Sequence, residues 1–136
     1  MLRLLHIEPK NMPTEAPVID ELTMRMVVAL RKATRPNYVY CGFHTCICGA
    51  HSGAWDAILP NGWMTNTLCV HYLAYHRAEV PASDLDAVSA LPPVTEAPTS
   101  KELHGPELYD SAGNKIIRCI DRLRERYDRP TQDRRT

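Results

Sequence analysis

The chain lacks an excess of either charge: 16 Lys and Arg stand against 16 Asp and Glu in 136 residues. Such a balance gives no global electrostatic reason to prefer nucleic acid or an anionic membrane surface. Nor does any apolar run approach bilayer-crossing length, so no membrane partner is expected. The opening residues, MLRLLHIEPK, hold an apolar run soon broken by His6 and Glu8 and lack the apolar centre of a secretory signal. No internal repeat is visible. Five cysteines, an odd number, cannot pair completely within one chain. A cytoplasmic, reduced protein is expected, and there clustered cysteines are more often metal ligands or reactive thiols than disulfides. The length suits one domain able to bury a real core.

What is present is concentrated. Between Cys41 and His76 lie four of the five cysteines and four of the six histidines. Thiolate and imidazole gathered in one short window are the ligands of a tetrahedral zinc site, so Zn2+ is the expected cofactor.

The surrounding pattern predicts an α+β fold, mostly helical, with a zinc knuckle and a β-hairpin inserted between helices. Residues 2–7 suit a short strand. Thr14 can cap a first helix reaching about Lys32, with Ile19, Leu22, Met26 and Leu30 at helical spacing. That helix should stop before Arg35-Pro36. Asn37 to Tyr40 reads as a strand leading into the Cys/His segment. Asn61-Gly62 lies between the apolar runs Ala57-Ile58-Leu59 and Trp63-Met64-Thr65, a hairpin signal of the type I′ kind, with Pro60 confining its arm to an edge. Thr65 or Thr67 can cap a second helix ending before Pro81, and Ser83 a third with Leu85, Val88 and Leu91 inward. The zinc-binding domain then spans 1–91. Residues 92–106 carry four prolines and read as a linker or surface loop. Residues 107–136 form a C-terminal amphipathic basic helix and tail, with Ile116, Ile120, Leu123 and Tyr127 in one stripe. From Lys115 onward this segment holds eight basic residues and four acids.

Cys46-Ile47-Cys48-Gly49 is shaped like a knuckle: two thiolates leave a tight turn, and a glycine lets backbone N–H groups approach the sulfurs. The other half of a site must come from Cys69, His71 and His76. Cys69 and His76 would share a helix face but lie about 10 Å apart, too far for one ion with bonds near 2 Å. His71 and His76 diverge by roughly 140° in a regular helix and converge only if it widens or tightens locally. The expected ligands are Cys46, Cys48, His71 and His76. Cys41 is the first substitute and Cys69 the next, and His44 and His51 flank the turn as further alternatives. Cys69 and Cys119 otherwise read as core residues, and His6 and His104 as surface or loop residues.

Knuckle, hairpin, then a helix supplying ligands: in this order residues 41–80 resemble a treble-clef zinc finger. The run Asp56-Ala57-Ile58-Leu59-Pro60, Asn66, Leu68-Cys69 and His76 also resembles the ββα-metal core of HNH endonucleases. The latter resemblance implies a histidine general base, and Ala57 fills that position; alanine cannot take a proton. No catalytic set is therefore expected. N/S ligands sufficient to close the site, with no acid at ligand-like spacing beside them, imply structural zinc. The expected role is a protein-interaction or assembly module with a protein partner or a second copy of itself. The alternatives are an HNH-like metal-dependent nuclease, or a nucleic-acid-binding module using Arg118, Arg122 and Arg126 on phosphates.

Overall fold

A computed structural model describes residues 2–36, 44–53 and 56–105. The expected strand at Asn37–Tyr40, Cys41, Cys119 and the C-terminal helix with Arg118, Arg122 and Arg126 lie outside these residues.

The described chain is a mixed α+β structure. Strand β1 (Arg3–Leu4) is followed by helix α1 (Glu21–Arg31), strands β2 (Ala57–Ile58) and β3 (Met64–Thr65), and helix α2 (Cys69–Tyr75). A 3-10 turn (Arg77–Glu79), helix α3 (Ala82–Ser89) and helix α4 (Ser100–His104) complete it. The sheet order is β1-β3-β2. β1 runs parallel to β3 with Arg3 opposite Met64, and β2 runs antiparallel to β3 with Ile58 opposite Met64. The first segment, expected as a strand over 2–7, pairs only at Arg3–Leu4. Leu5 then turns out of the sheet with φ 56°, a left-handed conformation costly for a side chain with a Cβ.

Helix α1 begins later than the Thr14 cap predicts. Thr14 spends its hydroxyl on the Ala16 carbonyl (2.8 Å), while the Asp20 carboxylate accepts from the Thr23 amide (3.1 Å). Arg77 clamps the same carboxylate at 2.7 and 2.8 Å and holds the Asp20 carboxyl down at about 2. Asp20 therefore outcompetes Thr14 as the cap, because it satisfies an orphan amide and a cation together. Ile19 is left outside the helix and exposed, and Met26, Val27, Val28 and Ala29 are buried. The helix ends before Pro36 as expected, and Thr34 makes a two-bond bridge to Ile58.

The hairpin is present, with a different turn. Leu59 accepts from the Gly62 amide (2.9 Å) and donates to the Trp63 carbonyl (2.8 Å), giving a three-residue loop of Pro60, Asn61 and Gly62. Only Gly62 has positive φ, 89°. This is a turn closed by a glycine bulge rather than a two-residue type I′ turn. Pro60 sits where its fixed φ suits a turn, so it is not in a strand arm at all.

Neither Thr65 nor Thr67 caps α2. The N-cap position is Leu68 and has no side-chain cap; just before it the Asn66 side-chain oxygen accepts from the Leu68 amide (2.8 Å) and the Asn66 side-chain amide donates to the Leu5 carbonyl (3.0 Å). Thr67 instead accepts from the Gly53 amide (2.6 Å). Helix α3 starts behind Pro81 without a side-chain cap, so Ser83 does not act as one; Val88 and Leu91 are buried as expected. Leu4, Met26, Leu59, Leu68, Val70, Tyr72, Leu73 and Val88 make one core, and a side chain so buried contributes about 1.5–3 kcal/mol.

The Pro-rich stretch 92–106 holds a helix. Thr99 and Glu102 form a capping box at the start of α4, and Arg31 reaches across from α1 to Glu96, Glu102 and the Ala97 carbonyl. Leu103 packs on the core, and α4 lies against α2. Among the described residues no helix is long and apolar enough to cross a membrane.

Candidate metal centre

A short turn carries the two thiols. The Cys46 amide donates to the Ala50 carbonyl (2.8 Å) and the Gly49 amide to the Cys46 carbonyl (2.9 Å). Gly49, at φ 90°, takes the left-handed conformation that such a tight reversal needs. Below the turn, Thr45 and His51 bridge, and His44 and Ser52 tie its ends together through two bonds, at 2.8 and 2.9 Å. This brings Cys46 and Cys48 to one side, both buried.

Helix α2 supplies the imidazoles, and its ending explains how residues five apart converge. The regular helix stops at Tyr75; His76 leaves it with φ −127° and ψ 33° and leads into the 3-10 turn. The break swings His76 back toward His71, and their ring centres lie 5.1 Å apart.

The ligand atoms of Cys46, Cys48, His71 and His76 all lie within 4.8 Å of one another, and all four residues are buried. The Cys46 Sγ is 3.2 Å from His76 Nε2, and the Cys48 Sγ is 3.2 Å from His71 Nε2. Zinc bonds near 2.3 Å to sulfur and 2.0–2.1 Å to nitrogen put a tetrahedral S···N edge at about 3.5 Å. The observed separations fall within a few tenths of an ångström of that edge, so the set is close enough to hold a metal ion and compatible with zinc.

Electrostatics favour a thiolate here. Cys48 is pulled down, first by the hydrogen bond from the Cys46 thiol and then by the His71 and His76 imidazoles, against its burial. Cys46 is pushed up, by its pairing with Cys48 and by burial. The two sulfurs thus hold one proton between them in preference to two. A dication is the natural replacement for that proton.

The histidines are supported from behind. His71 Nδ1 donates to the Leu103 carbonyl on α4 (2.8 Å), which leaves Nε2 as the lone-pair nitrogen facing the sulfurs. His76 Nδ1 is buried without a hydrogen-bond partner among the described residues, and the Glu79 carboxylate stands 3.7 Å from it. Glu79 is itself fixed by the Lys10 amide (2.8 Å) and by Asn11, and the Lys10 amide draws its carboxyl below the usual range.

The alternative ligands fall elsewhere. Cys69 is fully buried outside the cluster, and burial pushes its thiol up to about 12. His51 Nδ1 pairs with the Thr45 hydroxyl (3.0 Å). His44 joins a second group with His6 and Asp56. Of the two histidines expected at surface or loop positions, His6 does lie in irregular chain, with its side chain 15% exposed against Asp56, whereas His104 ends α4 and stacks on Tyr75 at 5.5 Å. The Leu103 carbonyl, Glu79 and the His6–Asp56 pairing are the parts sequence reasoning missed.

These features define a small α+β protein with a buried Cys2His2-like cluster. No known protein-family model, curated protein or solved structure gives a significant match to the chain.

Proposed function

We propose that the chain is a zinc-binding module in which Zn2+ is structural, held by Cys46, Cys48, His71 and His76, and that it serves protein interaction or assembly. The supporting observation is the burial of all four ligand residues, between 0% and 3% exposed. Four N/S ligands closed away from solvent are the pattern of structural zinc, whereas catalytic zinc keeps a position open. The ion would pin the thiol turn to α2, and through the Leu103 carbonyl it would also secure α4. A turn, a hairpin and a ligand-bearing helix in this order support the treble-clef likeness. In the HNH-like reading the base position falls on Ala57, a buried residue of β2 that cannot take a proton.

An interaction role is supported by apolar side chains left in solvent near this centre. Met12 and Val18 line a cleft beside His76; they and neighbouring Ile19 are 51%, 37% and 43% exposed. The expected partner is a protein or a second copy of the chain.

Elemental analysis of the purified protein should find zinc, and Cys46→Ser and His71→Ala should each lose it. Structural zinc binds with an apparent 10–16 kcal/mol or so, against a net domain stability of about 5–15 kcal/mol. Chelation should therefore unfold the domain. A chelated protein that melts no earlier than the loaded one sinks the structural role. Partner capture that persists in high salt supports the protein-interaction reading; binding that collapses steeply with salt supports nucleic acid instead.

A further inference from the structure

We infer a second, open metal site at His6, His44 and Asp56, one that takes a divalent first-row transition ion and leaves coordination positions facing solvent. The ligand atoms of these three residues lie within 4.8 Å of one another. His6 Nε2 is 3.4 Å from one carboxylate oxygen of Asp56, and His44 Nε2 is 3.4 Å from the other. The two rings meet edge-on with centres 5.6 Å apart.

The distances favour an ion over simple pairing. A good N–H···O bond to a carboxylate is about 2.7–2.9 Å long, so 3.4 Å is a poor one, made twice. For metal bonds of 2.0–2.2 Å, the tetrahedral N···O edge is about 3.3–3.6 Å. The Asp56 side chain is only 3% exposed, and a buried carboxylate calls for a compensating positive charge. Each of its two oxygens faces one of those imidazoles.

The fold invests in this placement. Leu5 takes its left-handed φ of 56° immediately before His6, and the Asn66 amide holds the Leu5 carbonyl. Strained backbone persists where surrounding structure over-determines it, often beside a ligand.

Two imidazoles and one carboxylate with free positions form the donor set of open, ligand-exchanging metal centres. His44 is 46% exposed and lines a cleft of about 640 Å³ with Ile7, Glu8, Lys10, Ile47 and Tyr72. Water or a small anion entering from that cleft would complete the coordination, with Lys10 supplying positive charge at the rim. The buried Cys/His centre has no such access, so the two sites should differ in exchange rate and in spectrum.

Co2+ titrated into the zinc-loaded 136-residue chain tests this without any assay of activity. One further equivalent should bind, with weak visible bands of a nitrogen/oxygen site and no thiolate charge-transfer band, and should broaden the amide resonances of His6, His44 and Asp56. His44→Ala, at a half-exposed position, and Asp56→Asn should each weaken that equivalent by at least about tenfold while the tightly held zinc stays in place. Absence of a second equivalent overturns the inference, as does unchanged binding in a folded His44→Ala protein. Loss of zinc from the Cys46→Ser protein tests the buried centre separately.

Discussion

Gly105→Ala should damage the metal centre although Gly105 touches no ligand. Gly105 ends α4 with φ 97°, and a Cβ there would lie 2.6 Å from the His51 carbonyl oxygen and 3.0 Å from Leu68 Cδ2. The first contact is with backbone, in a segment held by the Thr45–His51 bridge and by the Ser52–His44 bonds, so it cannot yield cheaply. A backbone at φ 97° and ψ 140°, beside a region that glycine alone uses freely, costs an alanine about 1–3 kcal/mol, and relieving the overlap adds roughly 1–3 kcal/mol. Relief requires α4 to back away, which draws the Leu103 carbonyl off His71 Nδ1. Losing such a supporting bond typically weakens metal affinity by about 10–100-fold. Gly62→Ala is the control: its φ is 89°, but nothing lies within 4 Å of the added carbon, leaving only the conformational cost of about 1–2 kcal/mol. Thermal melting and zinc competition against a chromophoric chelator should therefore separate the two variants. Gly105→Ala should lose both stability and affinity, and Gly62→Ala a little stability only. If both lose zinc equally, or Gly105→Ala keeps wild-type affinity, the coupling of α4 to His71 is wrong.

Asp20→Ala should cost about 1–2 kcal/mol by urea unfolding, because it removes a helix cap, while the partly exposed Arg77 pairing adds less than about 1 kcal/mol. The sign of the pH effect follows from the folded carboxyl lying at about 2, below its ordinary 3.8. Its contribution is complete above pH 3.8 and is lost as pH falls toward 2, so Asp20→Asn, which keeps a cap acceptor, should flatten stability over that interval. Cys69→Ala should retain full zinc stoichiometry. In the native wild type the Cys69 thiol, raised to about 12 by burial, should resist iodoacetamide at pH 8; alkylation there at a free-thiol rate contradicts its placement in the core.

The clustering of Cys46, Cys48, His71 and His76 was legible because thiol and imidazole side chains are scarce and concentrated in one window, and helix spacing set Cys69 apart from His76. Helix geometry alone showed that His71 and His76 needed an irregularity, and the ψ of 33° at His76 supplies it. The support behind His71 was not legible: the Leu103 carbonyl is a backbone group 32 residues away, and no side-chain pattern marks it. The capping box Thr99-Ser100-Lys101-Glu102 was written in the sequence, but four surrounding prolines made the stretch read as loop. Thr14 read as the cap of the first helix; Asp20 takes that place with a tertiary clamp from Arg77, 57 residues away, that local sequence does not show. His6 and Asp56 stayed apart in the reading because they are 50 residues distant and meet only through the sheet. β1 lies parallel to β3, and β2 flanks β3 on its other side; a two-residue parallel pairing leaves almost no trace in local sequence.

The two groups of ligands share one piece of chain, and that has an energetic consequence. His44 and Cys46 stand on the same turn, closed below by the His44–Ser52 bonds. An ion in the buried centre would fix the turn and so fix His44, while His6 follows β1 and Asp56 precedes β2 in the sheet. Ordering backbone costs about 1–2 kcal/mol per residue. A ligand meeting a turn already ordered by zinc is spared that cost. Binding at the open triad should therefore be tighter in zinc-loaded protein than in protein whose buried centre is empty or weakened. By reciprocity, a cation at the triad should slow or weaken zinc loss from the thiolates by the same coupling free energy. Zinc release to a chelator, followed with and without Co2+ at the triad, measures that coupling. Equal release in both conditions would mean that the turn holds His44 in place without help from the buried ion.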